Sequence, residues 1–201
     1  MSEPLINLEK SSALPGIRIV STLDGSHSLY HAGVAQHYHS TFGALGESMH
    51  IFIECGFRHE RQLLEARHEK SQHHLSILEI GFGTGLNAWL TLAESDMAHF
   101  MIDYNALEPY PVDATLLNSL NYPSLPGFDH AASLFTAIHN AAWEIPVAIT
   151  SEFTLCKRKV TLETFIPEPG KYDLVYFDAF DPVAQPELWT DEIFRKMAFA
   201  M

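Results

Sequence analysis

The sequence predicts an α/β fold built on a largely parallel sheet, with its ligand at the carboxyl ends of the strands. Three observations carry this. From residue 76 onward, short apolar runs alternate with segments of helical periodicity, the pattern of βαβ units. Between one such run and the next helix stands the glycine-rich string Glu79-Ile80-Gly81-Phe82-Gly83-Thr84-Gly85. Two further apolar runs each end on an acidic residue, Glu108 and Asp178.

The elements follow in chain order. Residues 17–30 read as a hairpin: Ile17-Arg18-Ile19-Val20, then Asp24-Gly25 as the turn signal, then Ser28-Leu29-Tyr30. Residues 43–57 and 58–70 have helical patterning, with Leu63 and Leu64 set among charged residues. Residues 76–80 are a short, nearly continuous apolar strand, followed by a helix over 86–94. A second strand covers 100–107, and 110–120 reads as a helix with Pro111 in its first turn. Another helix is expected over 129–142, then strand-like runs over 147–150 and 153–160. Residues 172–177 form a buried strand ending at Asp178, and 186–201 a final helix. Strands covered on both faces by helices explain the continuous apolar character.

The chain has 201 residues, the size of one domain. It divides into an N-terminal extension of hairpin and helices over 1–70 and an α/β ligand-binding domain over 71–201. Hydrophobic residues make up 47% and charged residues 18%, which suits a soluble globular protein and excludes wholesale disorder. The net charge of −13 counts against nucleic-acid binding by this segment alone, because phosphate contacts need a basic surface. The densest basic run, Lys157-Arg158-Lys159, is read as a solvated strand edge. Cys55 and Cys156 lie far apart in apolar stretches and are read as buried, reduced thiols. Met1-Ser2-Glu3-Pro4 lacks the features of a secretory signal, and no apolar stretch reaches the roughly 18 residues of a membrane span. A cytoplasmic location is expected. The 12 histidines form no recognised ligand pattern, so no metal is expected.

The glycine string carries the first chemical signal. Glycines after a strand permit a tight turn and close approach of backbone to a ligand. The spacing is G-x-G-x-G with an acid two residues before the first glycine, out of register with the G-x-G-x-x-G of dinucleotide binders and unlike a phosphate-binding P-loop. The form resembles the first motif of class I S-adenosylmethionine-dependent methyltransferases. That resemblance implies a Rossmann-like sheet, with the loop under the methionine moiety and Glu79 near its amino group. Glu108, at the end of the next strand, is placed to accept hydrogen bonds from ribose hydroxyls. Asp178 ends a buried strand where ligands of open α/β sheets bind.

The third string, Asp178-Ala179-Phe180-Asp181-Pro182-Val183-Ala184-Gln185-Pro186-Glu187-Leu188-Trp189, resembles that of the MnmC-like family, which methylates 5-aminomethyl-2-thiouridine in tRNA to its methylaminomethyl form. The stretches Asp24 to Tyr30, Tyr38-His39-Ser40, Gly43 to Phe52 and Ala106 to Pro111 are similar to that family as well. By this resemblance Asp178 is the catalytic carboxylate, holding or deprotonating the uridine's aminomethyl group, since a protonated amine has no lone pair for attack on a methyl sulfonium. Cofactor contacts fall to Glu79, Gly81, Phe82, Gly83, Gly85, Asn87, Glu108 and Pro109. Substrate contacts fall to Tyr30, Tyr38, Ser40, Glu47, Phe180 and Trp189, the last as a loop anchor or a stacking surface.

The pattern departs from the family at two positions. Thr161 stands where an acid contacting the adenine amino group is expected, and Asp181 stands in place of a small apolar residue. A carboxylate there either raises a pKa of the Asp178 pair or points to solvent. The chain ends at Met201, inside the helix after the Asp178 strand, so the sheet is expected to stop after its fourth strand. An open edge of that kind favours self-association or a completing polypeptide. Other readings of the same motifs are a spermidine-synthase-like aminopropyltransferase and a non-catalytic remnant that self-associates.

Overall fold

A computed structural model of the chain describes residues 16–66, 74–98 and 100–201. The first fifteen residues, and residues 67–70 of the helix expected over 58–70, lie outside that range. The N-terminal hairpin forms as expected and gains a strand. β1 (Ile17–Ser21), β2 (His27–His31) and β3 (Gln36–His37) make an antiparallel sheet in that order. Its first turn is closed by Asp24, whose Oδ1 accepts from the Thr22 hydroxyl at 2.7 Å and the Ser26 N–H at 3.0 Å. Short acidic side chains that bond nearby backbone favour such turns.

The two helices expected next are one continuous run. It begins as α1 (Ala44–Ser48), winds more widely as a π-helix over Met49–Arg58, and ends as α2 (His59–Ala66). Gly56 on the wide segment lets the backbone approach the Tyr176 ring, which a Cβ would meet at 3.1 Å. The segment's exposed side carries Ile51 and Cys55, so Cys55 is a surface thiol rather than a buried one, and Cys156 is half-buried.

The main sheet has five strands in the order β6-β7-β5-β4-β8. They are β4 (His74–Ile80), β5 (Met101–Leu107), β6 (Val147–Ala148), β7 (Phe153–Arg158) and β8 (Leu174–Phe177). All pairs are parallel except β6 with β7. Among the described residues β8 pairs with β4 alone and forms the sheet's outer edge.

β4 is buried from Leu75 to Ile80. Leu75 and Ile77 pack on one face with α3 (Leu86–Ala98), α5 (Ala132–Asn140) and the π-helical segment. Leu78 and Ile80 pack on the other with Leu107, Leu162, Phe165, and α6 (Asp191–Ala200). The two-residue period of a strand thus divides the core into two layers. Leu29, Ala44, Phe52 and Phe57 belong to the first layer, so the N-terminal segment shares the core of the sheet. Continuous burial is confined to β4, whereas β7 alternates buried and half-buried.

Other helices are shorter than the periodicity predicts. Residues 110–120 yield only α4 (Ala114–Leu117), because Asp113 caps it by accepting from the Thr115 N–H at 2.8 Å. The helices expected over 129–142 and 186–201 each start as a short 3₁₀ turn, Asp129–Ala131 and Pro186–Leu188. α6 then begins after Thr190, whose hydroxyl accepts from the Ile193 N–H. No helix among the described residues is long and apolar enough to cross a membrane.

Lys157 is not the solvated edge residue that the basic triplet suggests. It is 1% exposed, and its ammonium donates to the carbonyls of Ile138 at 2.7 Å and His139 at 3.0 Å, at the C-terminal end of α5. The ring of Trp143 lies 4.9 Å from the same nitrogen. A cation there satisfies carbonyls that the helix leaves without partners. We predict that Lys157→Ala lowers unfolding free energy by about 2 kcal/mol. Lys159→Ala should stay within about 0.5 kcal/mol of the parent in the same urea denaturation series.

Candidate functional site

The site begins where β4 ends. The N–H groups of Gly81 and Phe82 both donate to the Leu107 carbonyl at the end of β5, at 3.0 and 3.2 Å, which folds the glycine string over the strand ends. Gly81 (φ +90°) lies so close to the next strand that a Cβ would collide with the carbonyl oxygen of Asp178. Gly83 (φ +49°) sits under the Tyr38 ring. Only glycine meets both demands at Gly81.

Two carboxylates flank this loop. Glu108, just past β5, accepts from the Gly83 N–H at 3.0 Å and the Tyr110 N–H at 2.9 Å. Burial pushes its pKa up, and those two amide bonds work against the rise. An ionised carboxylate has about four acceptor positions, so about two remain for a ligand. Asp178, just past β8, accepts from the Asn87 amide nitrogen at 2.8 Å. Burial pushes its carboxyl up to about 7. The Asn87 bond works against that rise, and the charge of Glu47 adds to it.

These groups open on one cavity of about 1000 Å³, roughly the upper end of the range for small-molecule sites. The structure brings Gly81, Phe82, Gly83, Asn87, Glu108, Pro109 and Asp178 to its wall, together with Tyr38, Ser40, Glu47, Phe180 and Trp189. It leaves three of the expected site residues away from the wall. Glu79 is fully buried behind Asn87, Gly85 packs on the His139 ring, and Tyr30 lies against His37 with Arg18 over its ring. Six acidic residues line the cavity: Glu47, Glu108, Glu163, Asp178, Asp181 and Glu187. Among the described residues no lysine or arginine does.

The N-terminal segment forms the roof. The imidazole of His39 is buried and hydrogen-bonded to the Thr84 hydroxyl at 2.9 Å, tying the segment to the glycine loop. The Tyr38 ring meets Phe180 edge-on at 5.3 Å. Gln36 donates to Asp181 at 2.6 Å. Asp181 also accepts from the N–H groups of Val183 and Ala184, both at 2.9 Å. Its carboxyl is exposed and held below the usual range by these bonds, so it acts as a turn cap and not as a partner of Asp178. Trp189 anchors the same loop, donating to the Phe180 carbonyl at 2.8 Å and packing on Phe177. Thr161 lines the wall with its hydroxyl bonded to that of Thr164 at 3.0 Å. The roles of Gln36, His39 and Thr84 have no signature in spacing.

The chain is similar to several known proteins. Residues 143–201 match a family model described as S-adenosyl-L-methionine-dependent methyltransferase. The chain is similar to the tRNA 5-methylaminomethyl-2-thiouridine biosynthesis bifunctional protein MnmC of Magnetococcus marinus, with 31% identity over 174 residues, covering 81% of this chain and 24% of that protein. The protein of the same name from Ralstonia nicotianae is 27% identical over 177 residues, covering 80% and 24%. The chain therefore spans about a quarter of the length of these curated relatives. The crystal structure of MNMC2 from Aquifex aeolicus superposes with a TM-score of 0.67 at 23% identity, covering 92% of this chain and 56% of that one, and shares the fold.

Two predictions follow from the loop and its roof. Gly127 has the same φ of +90° as Gly81 but open space around it. Gly127→Ala should cost about 1–2 kcal/mol for the left-handed backbone alone. Gly81→Ala should cost at least about 3 kcal/mol, since the collision adds to the strain; thermal unfolding of both variants checks the difference. Burial pushes the His39 pKa down from 6.5 to about 4. The folded state thus disfavours the proton that the unfolded chain accepts. Stability should be full above about pH 6.5 and fall by roughly 2–3 kcal/mol on acidification towards pH 4. Melting curves across that range should show a shallower fall for His39→Gln.

Proposed function

We propose that this chain, a relative of the S-adenosyl-L-methionine-dependent methyltransferases and of the MnmC proteins, binds S-adenosyl-L-methionine and methylates the aminomethyl group of a modified wobble uridine in tRNA. The product would be 5-methylaminomethyl-2-thiouridine. The observation that carries this reading is the pair of carboxylates, Glu108 and Asp178, on either side of a glycine-rich loop in an acid-lined cavity. Both proposed occupants, a sulfonium and a protonated amine, are cations. An acid-lined cavity with low-dielectric walls concentrates cations and repels phosphates, which disfavours a dinucleotide.

The residues present fit the cofactor. The Gly81 turn offers bare backbone, Glu108 has acceptor positions left for vicinal ribose hydroxyls, and Phe82, Asn87 and Pro109 complete that part of the wall. When bound, S-adenosyl-L-methionine supplies a methyl group activated by its positive sulfur. Tyr38 and Phe180 provide aromatic faces for a uracil ring, with Ser40 and Glu47 beside them. Asp178 sits where it can hold the aminomethyl nitrogen and accept its proton. A carboxyl pushed up to about 7 is well matched to a base working near neutral pH. Tyr30, Gly85 and Glu79 support the wall from behind.

The acidic balance of the chain leaves the anticodon phosphates to be held elsewhere. Among the described residues β8 has one hydrogen-bonded neighbour, and α6 exposes Phe194 and Phe199. These features support a further polypeptide segment or second copy pairing at that edge. The aminopropyltransferase reading shares the glycine loop but gives no role to the aromatic roof.

The test is calorimetric titration with S-adenosylhomocysteine. The chain should bind it, Glu108→Ala should bind at least about tenfold more weakly through lost ribose hydrogen bonds, and Asp178→Ala should still bind. Methyl transfer to tRNA carrying the aminomethyl uridine should rise with pH through about 7 as Asp178 ionises, and Asp178→Asn should abolish it. A well-folded chain that does not bind S-adenosylhomocysteine would refute the proposal.

A further inference from the structure

One buried group behind the cavity is left without a direct role by the proposed function. Glu79 is fully buried on β4 and does not line the cavity. Its Oε1 accepts from the Asn87 amide nitrogen at 3.0 Å, and the same nitrogen donates to Asp178 at 2.8 Å. Asn87 therefore spends its two amide hydrogens on two different carboxyl groups. Around this bridge Glu79 Oε2 and Asn87 Oδ1 are buried with no well-formed hydrogen bond, and the Tyr104 hydroxyl lies near Glu79 without making one of good geometry. The two acceptors sit on the same pair of side chains, and Asn87 Oδ1 has no donor.

We infer that Glu79 is a buried positioning residue, held neutral by a proton on Oε2, which together with Asn87 fixes the Asp178 carboxylate so that its free oxygen faces the cavity. One proton resolves several costs together. It removes a charge from a fully buried position, where an unpaired ionised carboxylate is costly. It also supplies the hydrogen that Asn87 Oδ1 lacks, turning the single amide bond into a two-bond acid–amide pair. With its oxygen held from behind, Asn87 presents its second hydrogen to Asp178 in one orientation. This deepens the proposed function, resting on it only in taking Asp178 as the base.

The electrostatic surroundings agree. The charges and hydrogen-bonding groups that act on Glu79 are Asp178, Glu108, Tyr104 and Asn87, and none is a cation. Burial, followed by the charge of Asp178, pushes the Glu79 carboxyl well above its ordinary range. Tyr104 on β5 and Tyr176 on β8 are in turn pushed up, by burial first and by Glu79 after it, and neither can neutralise a carboxylate.

The experiment uses the ligand-free full chain, so it is independent of whether methyl transfer occurs. Carbon-13 labelling of aspartate carboxyls, with Asp178→Asn for assignment, gives the Asp178 titration midpoint. In Glu79→Gln, a neutral isostere, the midpoint should stay where it is. In Asn87→Ala it should rise by about one unit, since the bond that favours the ionised form is gone. Infrared titration should show a protonated carboxyl persisting above pH 7 that Glu79→Gln removes. A midpoint that falls in Glu79→Gln would mean Glu79 is charged and overturn the inference, as would no protonated carboxyl above pH 7. Should Asn87→Ala fail to fold, the isosteric Glu79→Gln alone decides between these outcomes. If these titrations behave as expected but S-adenosylhomocysteine does not bind, the methyltransferase reading fails while the acid–amide pair stands.

Discussion

The parallel ladder that seats β4 between β5 and β8 is the constraint on which the rest of the site depends. It brings the ends of these strands level, so that Glu108 and Asp178 emerge on either side of the glycine loop. The Leu107 carbonyl then catches the Gly81 and Phe82 N–H groups, and the bare Cα of Gly81 allows the loop to pass against Asp178. A side chain at Gly81 would force the loop away from β8 and separate the two carboxylates. The burial of Leu75 and Ile77 on one face and Leu78 and Ile80 on the other keeps β4 in this register, because a one-residue slip would exchange the two core layers.

Much of this was legible in the sequence because a strand end in a parallel sheet is a fixed address. The residue at which an apolar run breaks off into an acid marks that address, and Glu108 and Asp178 were found in this way. The glycine register marked the loop between them. The assembly of the roof was not legible. His39 meets Thr84 across 45 positions and Gln36 meets Asp181 across 145, and no local pattern encodes such distances. Tyr30 departs from its expected place for a related reason: antiparallel pairing puts it opposite His37, and its ring packs there, away from the cavity.

Lys157 shows a signal that was present and overridden. Counting by two from Phe153 puts Leu155 and Lys157 on the same buried side of β7. The basic triplet outweighed that alternation, although a long cation can be buried where helix carbonyls receive it. The helix expected over 110–120 failed differently. Its periodicity was adequate, but the Asp113 cap starts it late, and after Leu117 the chain leads into another turn at Tyr122–Ser124.

The lining of the cavity, with six acids and no lysine or arginine among the described residues, has a consequence for turnover. Under the proposed reaction the cofactor enters as a sulfonium and leaves as a neutral thioether, while of the six acids on the wall only Asp178 takes up a proton. The attraction that helps to load the fresh cofactor is therefore weaker for the spent one. Transfer of the methyl group would itself loosen the by-product, and the site would favour exchange over self-inhibition without any moving part.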